Sequence, residues 1–347
     1  MNGQIMKTES TSRTLRKFTG NAILFSIIAL GLAASWPAVA LADECLSITK
    51  WRLDGTGSWF DPNWDNGEPN STTAAQINNG GTAQILDDPA MAEACSLTLG
   101  LNAEDSGTVQ VTPGHGDLII DEATIVGSAG KGNLTITQGN VTSAIASIGS
   151  LAGSNGSVTV DGASSTWAVS GAADVGGTTS ATGGTGLLTV INSGTVTAAN
   201  VHVWDSGTLT GNGTVSTTNA ATVDGTLTPK GGGTTLTFDG DGGLQLNPDA
   251  TTQCKVTPQD PSTTPQVSVT QQVYLGGRLS VTMTGDFSSA PTRFTLLNAG
   301  SVNSSHFKFD STSITYPTNQ CWYPVINYVT DGNGYHVYLD RLNNCTQ

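Results

Sequence analysis

Short apolar alternations recur through the middle of the chain, each introduced by glycine. The stretches "IVGSAGKGNLTITQGNVTS" (125–143), "SIGSLAGSNGSVTVDGASSTW" (147–167) and "DVGGTTSATGGTGLLTVINSGTVTA" (174–198) share one plan. An aliphatic residue and a glycine open each unit, at Val126-Gly127, Ile148-Gly149 and Val175-Gly176, with Gly-to-Gly spacings of 22 and 27 residues. A Gly-rich stretch then leads into a strand of period two: "NLTIT", "SVTVD" and "LLTVI". That period puts Leu134 and Ile136, Val158 and Val160, and Leu188 and Val190 on one face. The intervening threonines take the other face, where a β-branched side chain suits extended backbone. Asn-Gly and Asp-Gly pairs mark the turns, because they tolerate positive φ.

A unit of this size cannot bury its apolar face alone. Stacked units bury a continuous core. The pattern therefore predicts an all-β fold, a parallel β-helix, with about five coils between 111 and 230. At ~4.8 Å between coils these make a segment of roughly 25 Å. A β-sandwich also has many short strands, but the near-constant unit length and the lack of longer strands favour the solenoid. The repeats span about 107–250. Before them, residues 43–106 form a Trp-rich cap segment. After them, 251–347 is a β-rich closing segment, with a Pro-, Thr- and Gln-rich loop at 256–266. It ends in a hairpin that alternates Val325, Asn327, Val329 and Tyr335, Val337, Leu339 around a turn at 331–334.

The first 42 residues read differently. Lys7, Arg13, Arg16 and Lys17 precede a thirteen-residue apolar run, "AILFSIIALGLAA", and then "PAVALAD" offers small residues for cleavage after Ala42 or Ala40. This is the pattern of a secretory signal peptide, and the run is shorter than the ~20 residues of a membrane span. No other stretch is apolar enough to span a membrane, so none is expected after cleavage. The predicted location is extracellular or on the cell surface, with the periplasm as the other exported compartment.

Charge narrows the partners. After residue 42 the chain keeps 9 of its 13 Lys and Arg and 26 of its 27 Asp and Glu, a net charge of −17. Such a surface repels phosphate backbones, so nucleic acid is not an expected partner. The five cysteines would meet an oxidising environment after export. Cys45 and Cys95 bracket the Trp-rich segment, and Cys321 and Cys345 bracket the last strand pair. Those pairings would leave Cys254 free, although spacing alone does not fix connectivity.

With these residues in view, the chain resembles bacterial exported proteins that carry autotransporter (type V secretion) and PEP-CTERM associated β-strand repeats. The units "VGSAGKGNLTITQGNVTS" and "GSNGSVTVDGASSTWAVSGAADVGG" resemble those repeats. The stretch "WRLDGTGSWFDPNWDNGEPNSTTAAQINNGGTAQI" resembles the Trp-rich unit that opens such passengers. "GTLTGNGTV" through "LQLNPDA", with "VYLGGRLSVTM" and "RFTLLNAGSV", resembles the part that closes them. The resemblance covers nearly all of 51–309 and implies a parallel β-helix at the cell surface or outside the cell. A C-terminal translocator barrel and a Pro-Glu-Pro sorting signal, which accompany such repeats, are not found in this sequence.

Three groups of residues are candidates for chemistry. Trp51, Trp59 and Trp64, with Asp61, Asp65 and Asn63, have the composition of a carbohydrate platform: aromatic faces for sugar C–H surfaces and polar groups for hydroxyls. They are equally the composition of a lid over an open solenoid end, where core and strand edges need cover. The lid is the preferred reading, because terminal repeats must be atypical. "DGDGG" (239–243) lacks the nonapeptide repeats of a calcium roll and the spacing of an EF-hand, and reads as a turn. The histidines (115, 202, 306 and 336) are isolated. "HGD" (115–117) and "HVWD" (202–205) place His near Asp, but no Gly-x-Ser-x-Gly elbow accompanies them, so they read as structural. Residues 125–200 hold only two acids, Asp161 and Asp174, which is poor provision for a polysaccharide-cleaving groove. The expectation is a non-enzymatic structural or adhesive protein with no metal or cofactor, whose partners are surface glycans or other cell-surface proteins. The alternative is a secreted carbohydrate-binding or polysaccharide-degrading β-helix.

Overall fold

The structure is a computed structural model that describes residues 45–86, 91–112, 116–317 and 322–343. The signal segment, His115, Cys321 and Cys345 lie outside the described residues. The described chain is all β, a solenoid of about ten turns of parallel stacked coils. Each coil contributes one strand to an 11-stranded sheet and one or two strands to a second, 18-stranded sheet, which the terminal hairpin also joins. No helix of the described residues is long and apolar enough to cross a membrane.

The alternations legible in the sequence become ladders. Strand Lys131–Thr137 pairs in parallel with Asn155–Asp161, that strand with Thr185–Ile191, Thr185–Ile191 with Gly207–Gly211, and Gly207–Gly211 with Thr226–Pro229. Leu134, Val158, Leu188, Leu209 and Leu227 therefore stack in register, as do Ile136, Val160 and Val190, and all are buried. Burying each such side chain is worth about 1.5–3 kcal/mol relative to exposure. The threonines between them stay half-exposed on the outside. The five strands in the 11-stranded sheet between 111 and 230 match the expected coil number.

The aliphatic-Gly pairs mark one corner of the stack. Gly149 has φ +71°, and a Cβ there would lie 2.4 Å from the Thr185 carbonyl oxygen of the next coil. Gly127 has φ +74°, with the Asn155 carbonyl oxygen 2.5 Å from the same added atom. The corner thus demands both a left-handed backbone and the absence of a side chain, so that successive coils can approach. Gly100, one coil earlier, meets the same condition against Lys131, which carries the motif back beyond the units seen in the sequence. The long Gly- and Thr-rich loop of the third unit holds a small antiparallel pair, Gly177–Thr178 with Ala181–Thr182.

Parallel pairing extends on both sides of these units, from Ser47–Lys50 against Thr73–Ile77 to Arg278–Met283 against Ser311–Thr315. The expected hairpin is present, Trp322–Asp331 with Gly334–Asn343, and its second strand runs antiparallel to Arg293–Phe307. Aromatic side chains fill both terminal regions of the core. Near the start are the three tryptophans of the opening segment. Near the end, Phe287 packs edge-on against Phe294 at 5.9 Å and Trp322 at 5.6 Å. The Arg341 guanidinium sits over the Trp322 ring at 5.1 Å and donates to the carbonyls of Phe287, Ala290 and Pro291.

Candidate functional site

The opening tryptophans face inward. Trp51, Trp59 and Trp64 are 3%, 0% and 4% exposed. Trp64 lies edge-on to both others, with centroids at 5.1 Å from Trp51 and 4.9 Å from Trp59, and its Nε1 donates to the Trp59 carbonyl at 2.9 Å. Gly81 makes room for this cluster, since a Cβ there would lie 2.5 Å from Cδ1 of Trp51. Asp61 and Asp65 are exposed, and Asp65 Oδ1 accepts from the Lys50 backbone N–H at 2.7 Å, which closes the turn. A sugar platform requires an open ring face, and this packing offers none among the three. Cys45 and Cys95 form a disulfide that ties the first coil to the strand Ser96–Leu99 region. Cys254 is a free, buried thiol, pushed up to about 12 by its desolvation.

His202 belongs to a cluster built by register. Asp174 and His202 are direct partners on neighbouring coils, and Asp224 follows the next strand, Thr214–Val223. His202 Nε2 lies 2.5 Å from Asp224 Oδ2, and its Nδ1 lies 4.0 Å from Asp174 Oδ1. The imidazole lies against Trp204 with centroids 3.9 Å apart and planes tilted by 37°, and Trp204 Nε1 donates to Asp174 Oδ1 at 2.9 Å. Asn247 Nδ2 donates to the other oxygen of Asp224. Burial pushes the Asp174 carboxyl up, against the opposing pull of the Trp204 N–H and His202. Among the described residues no serine hydroxyl hydrogen-bonds this imidazole. The arrangement fastens four successive coils to one another on their outer face.

The densest meeting of charged, aromatic and hydroxyl groups lies on the closing sheet. Antiparallel register aligns Arg293 with Asp340 and Val325, Thr295 with Tyr338 and Asn327, and Asn298 with His336 and Val329. Arg293 grips Asp340 through Nε at 2.6 Å and Nη2 at 2.7 Å, and lies over the Tyr338 ring at 4.3 Å. Asn327 Nδ2 adds a bond to Asp340 at 2.6 Å. The Arg293 hydrogen bonds hold the Asp340 carboxyl below its ordinary range, and Asp340 in turn raises Arg293. His336 Nδ1 lies 2.8 Å from the Asn298 side-chain amide and its Nε2 lies 3.3 Å from Asp331 Oδ1. Thr295 Oγ1 donates to the Ser262 carbonyl, which fixes the 257–266 loop as one wall. The result is a cleft of about 480 Å³.

"DGDGG" forms a turn, as expected: Asp239 Oδ1 accepts from Gly240 N–H and from Thr270 Oγ1, and Gly240 and Gly243 have positive φ. The opening segment and the His202 motif stand out in the sequence, and the closing sheet does not. The signal was present in its hairpin, where His336, Tyr338 and Asp340 alternate onto one face. A scan against protein-family models finds no match for the chain, and a search of curated proteins finds none either.

Proposed function

We propose that the chain is a non-enzymatic, exported bacterial β-helix protein of the cell surface or extracellular space, with a structural or adhesive role, of the kind that carries autotransporter and PEP-CTERM associated repeats. One observation carries this reading: acids on the coil faces are tied to side chains of neighbouring coils. Asp161 accepts from Asn192, Asp174 from Trp204, and Asp224 from Asn247, while His202 is held by Asp224. Such ties reinforce coil against coil. The predicted signal peptide and the net −17 charge after residue 42 support export and solubility. Fractionation of the producing cell, with protease shaving of intact cells, tests the proposal. The expected result is a protein lacking residues 1–42 in the surface or medium fraction. A full-length protein confined to the cytoplasm would overturn it.

The carbohydrate-binding alternative keeps one specific support. The opening tryptophans are buried, but the closing sheet combines an aromatic ring, a held guanidinium and several hydroxyls in one cleft.

A further inference from the structure

We propose that the cleft of the closing sheet, lined by Ser262, Thr263, Thr292, Arg293, Asn298 and Tyr338, is a saccharide-binding site. The cleft falls within the size range of small-molecule sites, about 300–1,000 Å³. Beside Pro291 and the Tyr338 ring, its lining carries hydroxyl, amide, imidazole and guanidinium groups, which a wholly apolar ligand would leave unpaired at a cost.

The guanidinium is the decisive part. A guanidinium has five N–H donors. Asp340 takes two of those of Arg293, and no described residue accepts the other three. Two charge-assisted bonds and the Tyr338 ring hold it in one plane, so the free donors are oriented before any ligand arrives. Asp340 also cancels its charge locally. A phosphate-rich or polyanionic ligand therefore meets a neutral pair on a chain of net −17, and gains little. What fits is a ligand rich in oxygen acceptors that also donates, namely a polyol ring. Ser262, Thr263 and Thr292 supply groups that donate and accept, and the Asn298 side-chain amide, one end of which meets His336 Nδ1, keeps its other end for a ligand. The stacked Arg293–Tyr338 pair adds a flat surface against which a ring can lie. The cleft walls come from segments up to 76 residues apart in sequence, Ser262 to Tyr338, and Thr295 fastens the loop wall to the sheet, so the site is preformed.

The test uses the purified, untagged chain against immobilised neutral hexose polysaccharides and uronic-acid polysaccharides, with soluble oligosaccharides at about millimolar concentration as competitors. Tyr338→Ala removes the surface under Arg293. Thr263→Arg crowds the cleft from an exposed rim position and leaves the Arg293–Asp340 pair intact. Leu151→Ser, on an exposed residue of an inner coil, is the control. The expected result is retention of the wild type and of Leu151→Ser on at least one neutral polysaccharide. Both cleft variants should bind about tenfold more weakly or worse, with an unchanged melting temperature for Thr263→Arg. Retention on the uronic polymers alone would overturn the inference, because the neutral Arg293–Asp340 pair offers a polyanion little. No retention of the wild type on either, or equal retention of wild type and Thr263→Arg, would overturn the inference. Binding by the purified chain does not depend on where the cell places it, so this test and the fractionation can fail separately.

Discussion

Replacing Trp59 by alanine separates a lid from a platform. The ring is fully buried, packed edge-on against Trp64 at 4.9 Å, and the Trp59 carbonyl receives the Trp64 N–H. Burying roughly 200 Å² of aromatic surface at about 25 cal/mol per Å² is worth about 5 kcal/mol. Residual burial in the unfolded chain trims this to about 4 kcal/mol, within the usual range for Trp-to-Ala changes in cores. In a solenoid each coil is supported only by its neighbours, so the loss falls on the first coils rather than on the whole stack. Hydrogen exchange read by mass spectrometry resolves the two regions. In Trp59→Ala, protection of peptides within 46–85 should fall about 10³-fold, the equivalent of about 4 kcal/mol. Peptides covering Thr185–Gly211 should be unaffected. An exposed platform ring would cost less than about 0.5 kcal/mol. Protection near residues 46–85 that stays within about threefold of wild type would therefore refute the reasoning.

Three further outcomes follow from local geometry. Gly149→Ala should destabilise by more than about 2 kcal/mol in urea titrations, because it adds a backbone clash to the left-handed φ. Gly153→Ala, at φ +86° with open space around it, should cost only about 1 kcal/mol. Cys95→Ser should lower stability by up to about 4 kcal/mol, since the lost disulfide closes a loop of 50 residues, as seen in melting of the oxidised and reduced forms. The two carboxyls Asp340 and Asp174 should respond to pH with opposite signs. Asp340 is held below the unfolded value of about 3.9, so its contribution is complete above that pH and fades as pH falls through the folded value. Asp174 is raised by burial, so its contribution is present below about 3.9 and lost as pH rises through the folded value. At pH 7, Asp340→Asn should lower the melting temperature and Asp174→Asn should raise it, with both differences shrinking in acid.

The solenoid was legible because its signal is local and repeated. Leu134 and Ile136, or Val158 and Val160, declare a face through period two, and the glycine before them declares a corner. The corner at Gly100 was harder to see, because the link to the following strand, Ser106–Val111, is "LNAED" and lacks the glycines of the later units. Whether the Trp51, Trp59 and Trp64 rings face in or out was not readable from their own segment. Gly81, a coil away, provides the space that Trp51 fills. The His202 cluster depends on register between coils of unequal length, which brings residue 174 beside 202. The closing cleft is the least local feature of all: Arg293 and Asp340 are 47 residues apart and meet only through the antiparallel return of the last strand.

The parallel register of the coils is the claim on which the rest stands, and a cysteine pair tests it most directly. Thr135 and Thr159 are direct outward partners on adjacent coils, and Thr189 continues the row one coil further. Adjacent partners are ~4.8 Å apart, within reach of a disulfide, whereas positions two coils apart are at ~9.6 Å, beyond it. Mild oxidation of Thr135→Cys/Thr159→Cys should give the 135–159 cross-link in peptide maps, and Thr135→Cys/Thr189→Cys should give none within one chain. Failure of the first pair to close, or equal closure of the second, would contradict the stacked-coil account.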